Sequence, residues 1–82
     1  MVLVDIYVPS VDKTYNFSLN ENVGITSIIS EITEMVEQKE QVSLVGDRSG
    51  LHLYDGARRS ALPGENTLSE CAIRSGSMLF LV

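Results

Sequence analysis

The apolar residues of this chain change their spacing once, near Asn20, and that change limits the folds open to it. Before it they alternate. Val2, Val4, Ile6 and Val8 fall on one face of an extended segment, with Leu3, Asp5 and Tyr7 on the other. Pro9-Ser10-Val11-Asp12-Lys13 supplies turn residues, and Tyr15, Phe17 and Leu19 then alternate with Asn16 and Ser18. Two alternating runs joined by a short polar turn predict a β-hairpin. After Asn20 the period becomes that of a helix. Ile25, Ile28, Ile29, Ile32, Met35 and Val36 fall on a stripe about 120° wide, with Glu31, Glu34 and Glu37 on the far side. Asn22 or Gly24 is the expected N-cap. Isoleucine is a mediocre helix former, so the helix needs a sheet to pack against.

The remainder is shorter-ranged. Between residues 38 and 50, Val42, Leu44 and Val45 are compatible with a longer helix, a short strand or a tucked loop. Gly46-Asp47-Arg48-Ser49-Gly50 has the composition of a turn. Leu51-His52-Leu53-Tyr54 alternates before the turn pair Asp55-Gly56, and Ser60-Ala61-Leu62 forms a short strand. Pro63-Gly64 suits the centre of a type II turn. Thr67 to Cys71 predicts one helical turn, Ser75-Gly76 a bend, and Met78 to Val82 a last strand. One helix against a mixed sheet of four or five strands is an α+β plan, and 82 residues leave room for a single domain spanning 1–82.

Composition narrows the function. Six basic against eleven acidic residues give a net charge of −5, which disfavours nucleic acid and anionic membranes. The longest apolar run, residues 78–82, is far short of the ~20 that a membrane helix needs. Met-Val-Leu-Val followed by Asp5 has no basic lead, so no signal peptide is expected, and a lone cysteine implies a reduced, cytoplasmic setting. One histidine and one cysteine cannot build a zinc site, and the six glycines follow no phosphate-binding spacing. His52 is best explained as a polar residue on a strand, Cys71 as a buried thiol, and Arg58-Arg59 as solubilising charge. Glu31, Glu34, Glu37 and Glu40 fit a solvated helix back. No catalytic constellation, cofactor or metal is expected, and the chain is expected not to be an enzyme.

The segment Thr67-Leu68-Ser69-Glu70-Cys71-Ala72-Ile73-Arg74-Ser75-Gly76-Ser77-Met78-Leu79-Phe80-Leu81-Val82 resembles the end of a ubiquitin fold. With the element order, it marks the chain as similar to ubiquitin-like β-grasp proteins over nearly its whole length. Ile25-Thr26-Ser27-Ile28-Ile29, and Leu68, Ile73, Gly76 and Leu79, are similar to the bacterial YukD/EsaB family, which accompanies type VII secretion. The resemblance implies a protein-interaction module and a secretion component as partner. Conjugated relatives and sulfur carriers end in Gly-Gly. The sequence stops at Val82, so a non-conjugated module is expected. The alternatives are a domain detached from a larger membrane secretion component, or a modifier or sulfur carrier whose tail is absent.

The strand phases also predict a site. If Val4, Ile6, Phe17, Leu19, Leu51, Leu53, Leu79 and Leu81 face the helix, then Leu3, Tyr7, His52, Tyr54, Met78, Phe80 and Val82 face outward. An open sheet face is normally polar, so this apolar and aromatic set suggests a partner surface. Tyr7, His52, Tyr54, Phe80 and Val82 are the candidate contacts, with a second copy of the chain as competing occupant.

Overall fold

A computed structural model of the chain describes residues 1–44 and 51–82. The elements are β1 (Val2–Val8), β2 (Lys13–Leu19), α1 (Ile25–Glu40), β3 (Leu53–Asp55), β4 (Ser60–Ala61) and β5 (Met78–Leu81). The strands form one sheet in the order β2-β1-β5-β3-β4. β1 and β5 run parallel and the other pairs antiparallel, so the sheet is mixed and α1 covers one face. This is the ubiquitin-like β-grasp.

The hairpin forms as its period requires, with seven pairs in unbroken register from Val2↔Leu19 to Val8↔Lys13. Its turn closes through the Val11 N–H on the Val8 carbonyl and the Asp12 N–H on that of Pro9, and Asp12 takes φ 52°. The core is the one anticipated. Val4, Ile6 and Val8 from β1, Phe17 and Leu19 from β2, and Leu79 and Leu81 from β5 are buried against Ile25, Ile28, Ile32 and Val36.

The helix stripe departs from expectation at its borders. Met35 is 47% exposed, whereas Thr33, on the opposite border, is wholly buried. The threonine is tolerated because its hydroxyl donates to the Ile29 carbonyl at 2.7 Å. Gly24 is the N-cap, without a side-chain cap bond. The helix ends at Glu40, where Gln41 takes a left-handed conformation. Val42 beyond it is exposed, while Leu44 packs on the core. Val45 and the expected turn over residues 46–50 lie outside the described residues.

Three expectations about polar residues need correction. Glu40 is no solvated residue: it accepts bonds from Lys13 Nζ (2.8 Å) and the Tyr15 hydroxyl (2.7 Å), which tie β2 to the end of α1. Glu37 likewise accepts the Leu44 N–H at 3.0 Å. Arg58 does more than solubilise, since its Nε lies 3.5 Å from Asp55 Oδ2 and its guanidinium donates to the Cys71 carbonyl at 2.8 Å. Asp55, expected in a turn, is the buried last residue of β3 and also accepts the Ala57 N–H at 3.0 Å.

Pro63-Gly64 does not occupy the centre of a type II turn. The Asn66 N–H bonds to the Pro63 carbonyl, so Pro63 is the first residue, and Gly64 avoids the left-handed region. Glycine suits the position for a different reason. A Cβ would stand 2.6 Å from Thr26 Oγ1, which donates to the Gly64 carbonyl at 2.9 Å. The turn after it forms as expected, with the Thr67 hydroxyl accepting the Glu70 N–H and the Glu70 carboxylate accepting the Thr67 N–H. This reciprocal pair is a capping box. It presents buried Leu68, Cys71 and Ile73 to the core.

Candidate functional site

The face of the sheet away from α1 is organised by register. Leu79 and Leu81 point into the core, so Phe80 between them points out. It is paired with Tyr7 across the parallel β1–β5 ladder and with Tyr54 across the antiparallel β5–β3 ladder. Tyr54 is opposite Ala61 and Tyr7 opposite Thr14. One row, Thr14–Tyr7–Phe80–Tyr54–Ala61, therefore crosses all five strands, with its three central positions aromatic.

The row is held from both sides. The Tyr7 and Phe80 rings meet edge-on, with centroids 6.1 Å apart and planes at 85°. The Tyr7 hydroxyl donates to Asp12 Oδ1 at 2.6 Å. That bond, then desolvation and the carboxylate charge, raise the tyrosine's pKa above its ordinary 10. Phe80 leans over Gly56, where a Cβ would lie 2.9 Å from the Met78 carbonyl oxygen and 3.3 Å from Phe80 Cε2. The missing side chain lets the ring settle close to the backbone. Tyr7, Tyr54 and Phe80 are each half-buried, with part of every ring left to solvent.

His52 and Val82 lie just beyond the ends of β3 and β5, two residues from Tyr54 and Phe80. They exchange two backbone bonds, His52 N–H to Val82 O at 2.7 Å and Val82 N–H to His52 O at 3.0 Å. Both side chains are exposed. All five candidate residues thus lie on one continuous face, joined by exposed Leu3 and Met78. Asp5 also lies within it, paired with Asn16 and Met78 and accepting the Asn16 amide at 3.0 Å.

Chemically this surface is suited to contact. It offers aromatic area, a tyrosine hydroxyl already engaged and few strong donors. The described residues contain no group of three or more His, Cys, Asp or Glu placed to hold a metal. Among them no helix is long and apolar enough to cross a membrane. Cys71 is buried in the turn over 67–71, away from this row. A second feature has no signal in the residue pattern: a groove of ≈ 310 Å³ between β2 and α1, beside exposed Met35.

No protein-family model matches this chain, and no curated protein matches it. Solved structures do. The N-terminal ubiquitin-like domain of the 4931431F19Rik protein superposes with a TM-score of 0.75 at 20% identity, covering 99% of this chain and 72% of that one. The ubiquitin of Caldiarchaeum subterraneum gives 0.74 at 12% identity, covering 98% and 89%. The EccD5 ubiquitin-like domain from Mycobacterium xenopi gives 0.77 at 18% identity, covering 99% and 91%. At these identities the likeness shows the fold.

Proposed function

We propose that this domain is a protein-interaction module that receives a partner on its open sheet face, as an accessory or regulatory component of a type VII secretion system. The observation that carries the first half is the aromatic row Tyr7–Phe80–Tyr54, aligned across three adjacent strands and uncovered by α1. Aromatics left partly in water add little to folding, but become anchors once a partner dehydrates them. The secretion half rests on the similarity to the YukD/EsaB family and on the likeness to the EccD5 domain. That likeness also favours a second reading, a domain of a larger membrane component. Hydrophobic spans in the intact gene would distinguish the two.

Phe80→Glu tests both halves together. The variant is expected to stay folded and monomeric, melting below wild type only by what the lost Tyr7 edge contact costs, and to lose partner capture in the source cell. A strain lacking the gene should export less of its small Trp-Xaa-Gly secreted proteins. Wild type and Glu31→Gln should restore export, and Phe80→Glu should not. Unchanged capture by a stable Phe80→Glu removes the sheet-face assignment. Normal export in the deletion strain removes the secretion role.

A further inference from the structure

The sheet has two edges of unequal character. β4 is two residues long and offers little to pair with, whereas β2 is seven residues long. The direction of its backbone groups follows from β1. The Asp5 N–H donates to Ser77 O and the Leu3 carbonyl accepts from Gly76, so odd-numbered residues of β1 face β5. Val4, Ile6 and Val8 therefore face β2, and bond to Phe17, Tyr15 and Lys13 opposite them. The N–H and C=O groups of Thr14, Asn16 and Ser18 must then point outward, away from the sheet. Among the described residues no strand lies beyond them.

Long free edges are usually blunted by proline, a bulge or charge. β2 has no proline, its register contains no bulge, and Lys13 at its start is engaged by Glu40. The groove runs along this edge. Tyr15 and Phe17 form its sheet side and Val36 and Met35 its helix side. Lys39 closes the rim, with Nζ 5.4 Å from the centroid of the Tyr15 ring. Tyr15 is fixed in turn by its bond to Glu40, so the walls are held in place before anything binds.

We infer that β2 and this groove form a second docking site, independent of the open face, which takes an extended segment of a partner protein as an added strand. The segment bonds to the backbone of Thr14, Asn16 and Ser18. Side chains of an added strand alternate, so every second one enters the groove and must be apolar, while a single carboxylate meets Lys39. The free backbone selects a strand rather than a helix. Charge selects a short segment over a second copy. Edge-to-edge pairing of two copies would set two α1 helices on the same side of one sheet, each carrying four glutamates of which Glu40 is already paired with Lys13, in molecules of charge −5.

The test uses the whole domain and a library of short acetylated peptides, with apolar residues at alternate positions and an aspartate at one end. A binding member should shift the Met35 methyl signal and protect the Thr14, Asn16 and Ser18 amides from hydrogen exchange. Met35→Glu, at an exposed position, should weaken it by about tenfold or more without changing the melting temperature. Thr14→Pro removes one outward N–H and should abolish binding; if it unfolds the domain, Met35→Glu decides. Binding that instead perturbs Tyr7, Tyr54 and Phe80 overturns the proposal, as does the absence of any binding member. Concentration-dependent protection of the three amides without peptide, together with a dimer mass, overturns it in favour of a second copy.

Discussion

Ile32 and Met35 lie within one turn of the same helix, and both are apolar. Ile32 is wholly buried, at the centre of the stripe between Ile28 and Val36, while Met35 stands nearly half in water. Truncating a buried isoleucine costs ~2–5 kcal/mol, and a domain of this size has about 5 kcal/mol in hand. Ile32→Ala is therefore expected to be unfolded or to melt far below wild type in a thermal scan. Met35→Ala should change stability by less than ~0.5 kcal/mol, as an exposed position does. Equal losses for the two variants would contradict this helix phase. The difference could not be read from hydrophobicity. Met35 is on the border of the stripe that faces the outer edge of β2, where the sheet stops and, among the described residues, nothing covers it. Thr33 is on the other border, where the core continues and its hydroxyl is satisfied within the helix.

At the scale of elements, the junction between β2 and α1 depends on three side chains. Burial, the hydrogen bond to Glu40 and that carboxylate's charge, in that order, push the Tyr15 hydroxyl up to about 12 from its ordinary 10. Between those values the unfolded chain has lost the phenolic proton and the folded chain keeps it. The contribution of Tyr15 to stability is thus complete below pH 10 and is lost as pH rises towards 12. Denaturant midpoints taken across that window should fall more steeply for wild type than for Tyr15→Phe. Parallel slopes would mean that Glu40 does not hold Tyr15 in this way. None of this junction was legible beforehand, because Glu40 belongs to a regular glutamate series that gives every member the same solvated look. The elements themselves were legible, since alternation and the isoleucine stripe are properties of single segments. Which outward residues would be neighbours was not. Tyr7, Tyr54 and Phe80 come from three separated stretches, and their alignment follows from β5 entering between β1 and β3. Asp55 shows the same limit, since its composition reads as a turn and its burial depends on Arg58 reaching back to it.

At the scale of the whole molecule, β5 is the central strand and contacts β1 on one side and β3 on the other. Removing residues 78–82 would leave a hairpin and helix on one side and two short strands on the other, with core leucines Leu79 and Leu81 missing. That shortened chain is expected to show no cooperative thermal transition and no dispersed amide spectrum. A cooperative melt would mean that β1, β2 and α1 suffice as a folding unit. The same placement has a temporal side. Asp5 and Met78 are ladder partners 73 positions apart, so at 5–20 residues per second a ribosome makes one roughly 4–15 s before the other. Domains of mixed topology fold on shorter timescales than that once complete. For those seconds the inner edge of β1, flanked by Val4, Ile6 and Val8, has no strand to meet. Until residues 78–82 have been made and have left the ribosome, a nascent chain of this protein keeps the inner edge of β1 unpaired, and β1 and β3 join one sheet only once β5 enters between them.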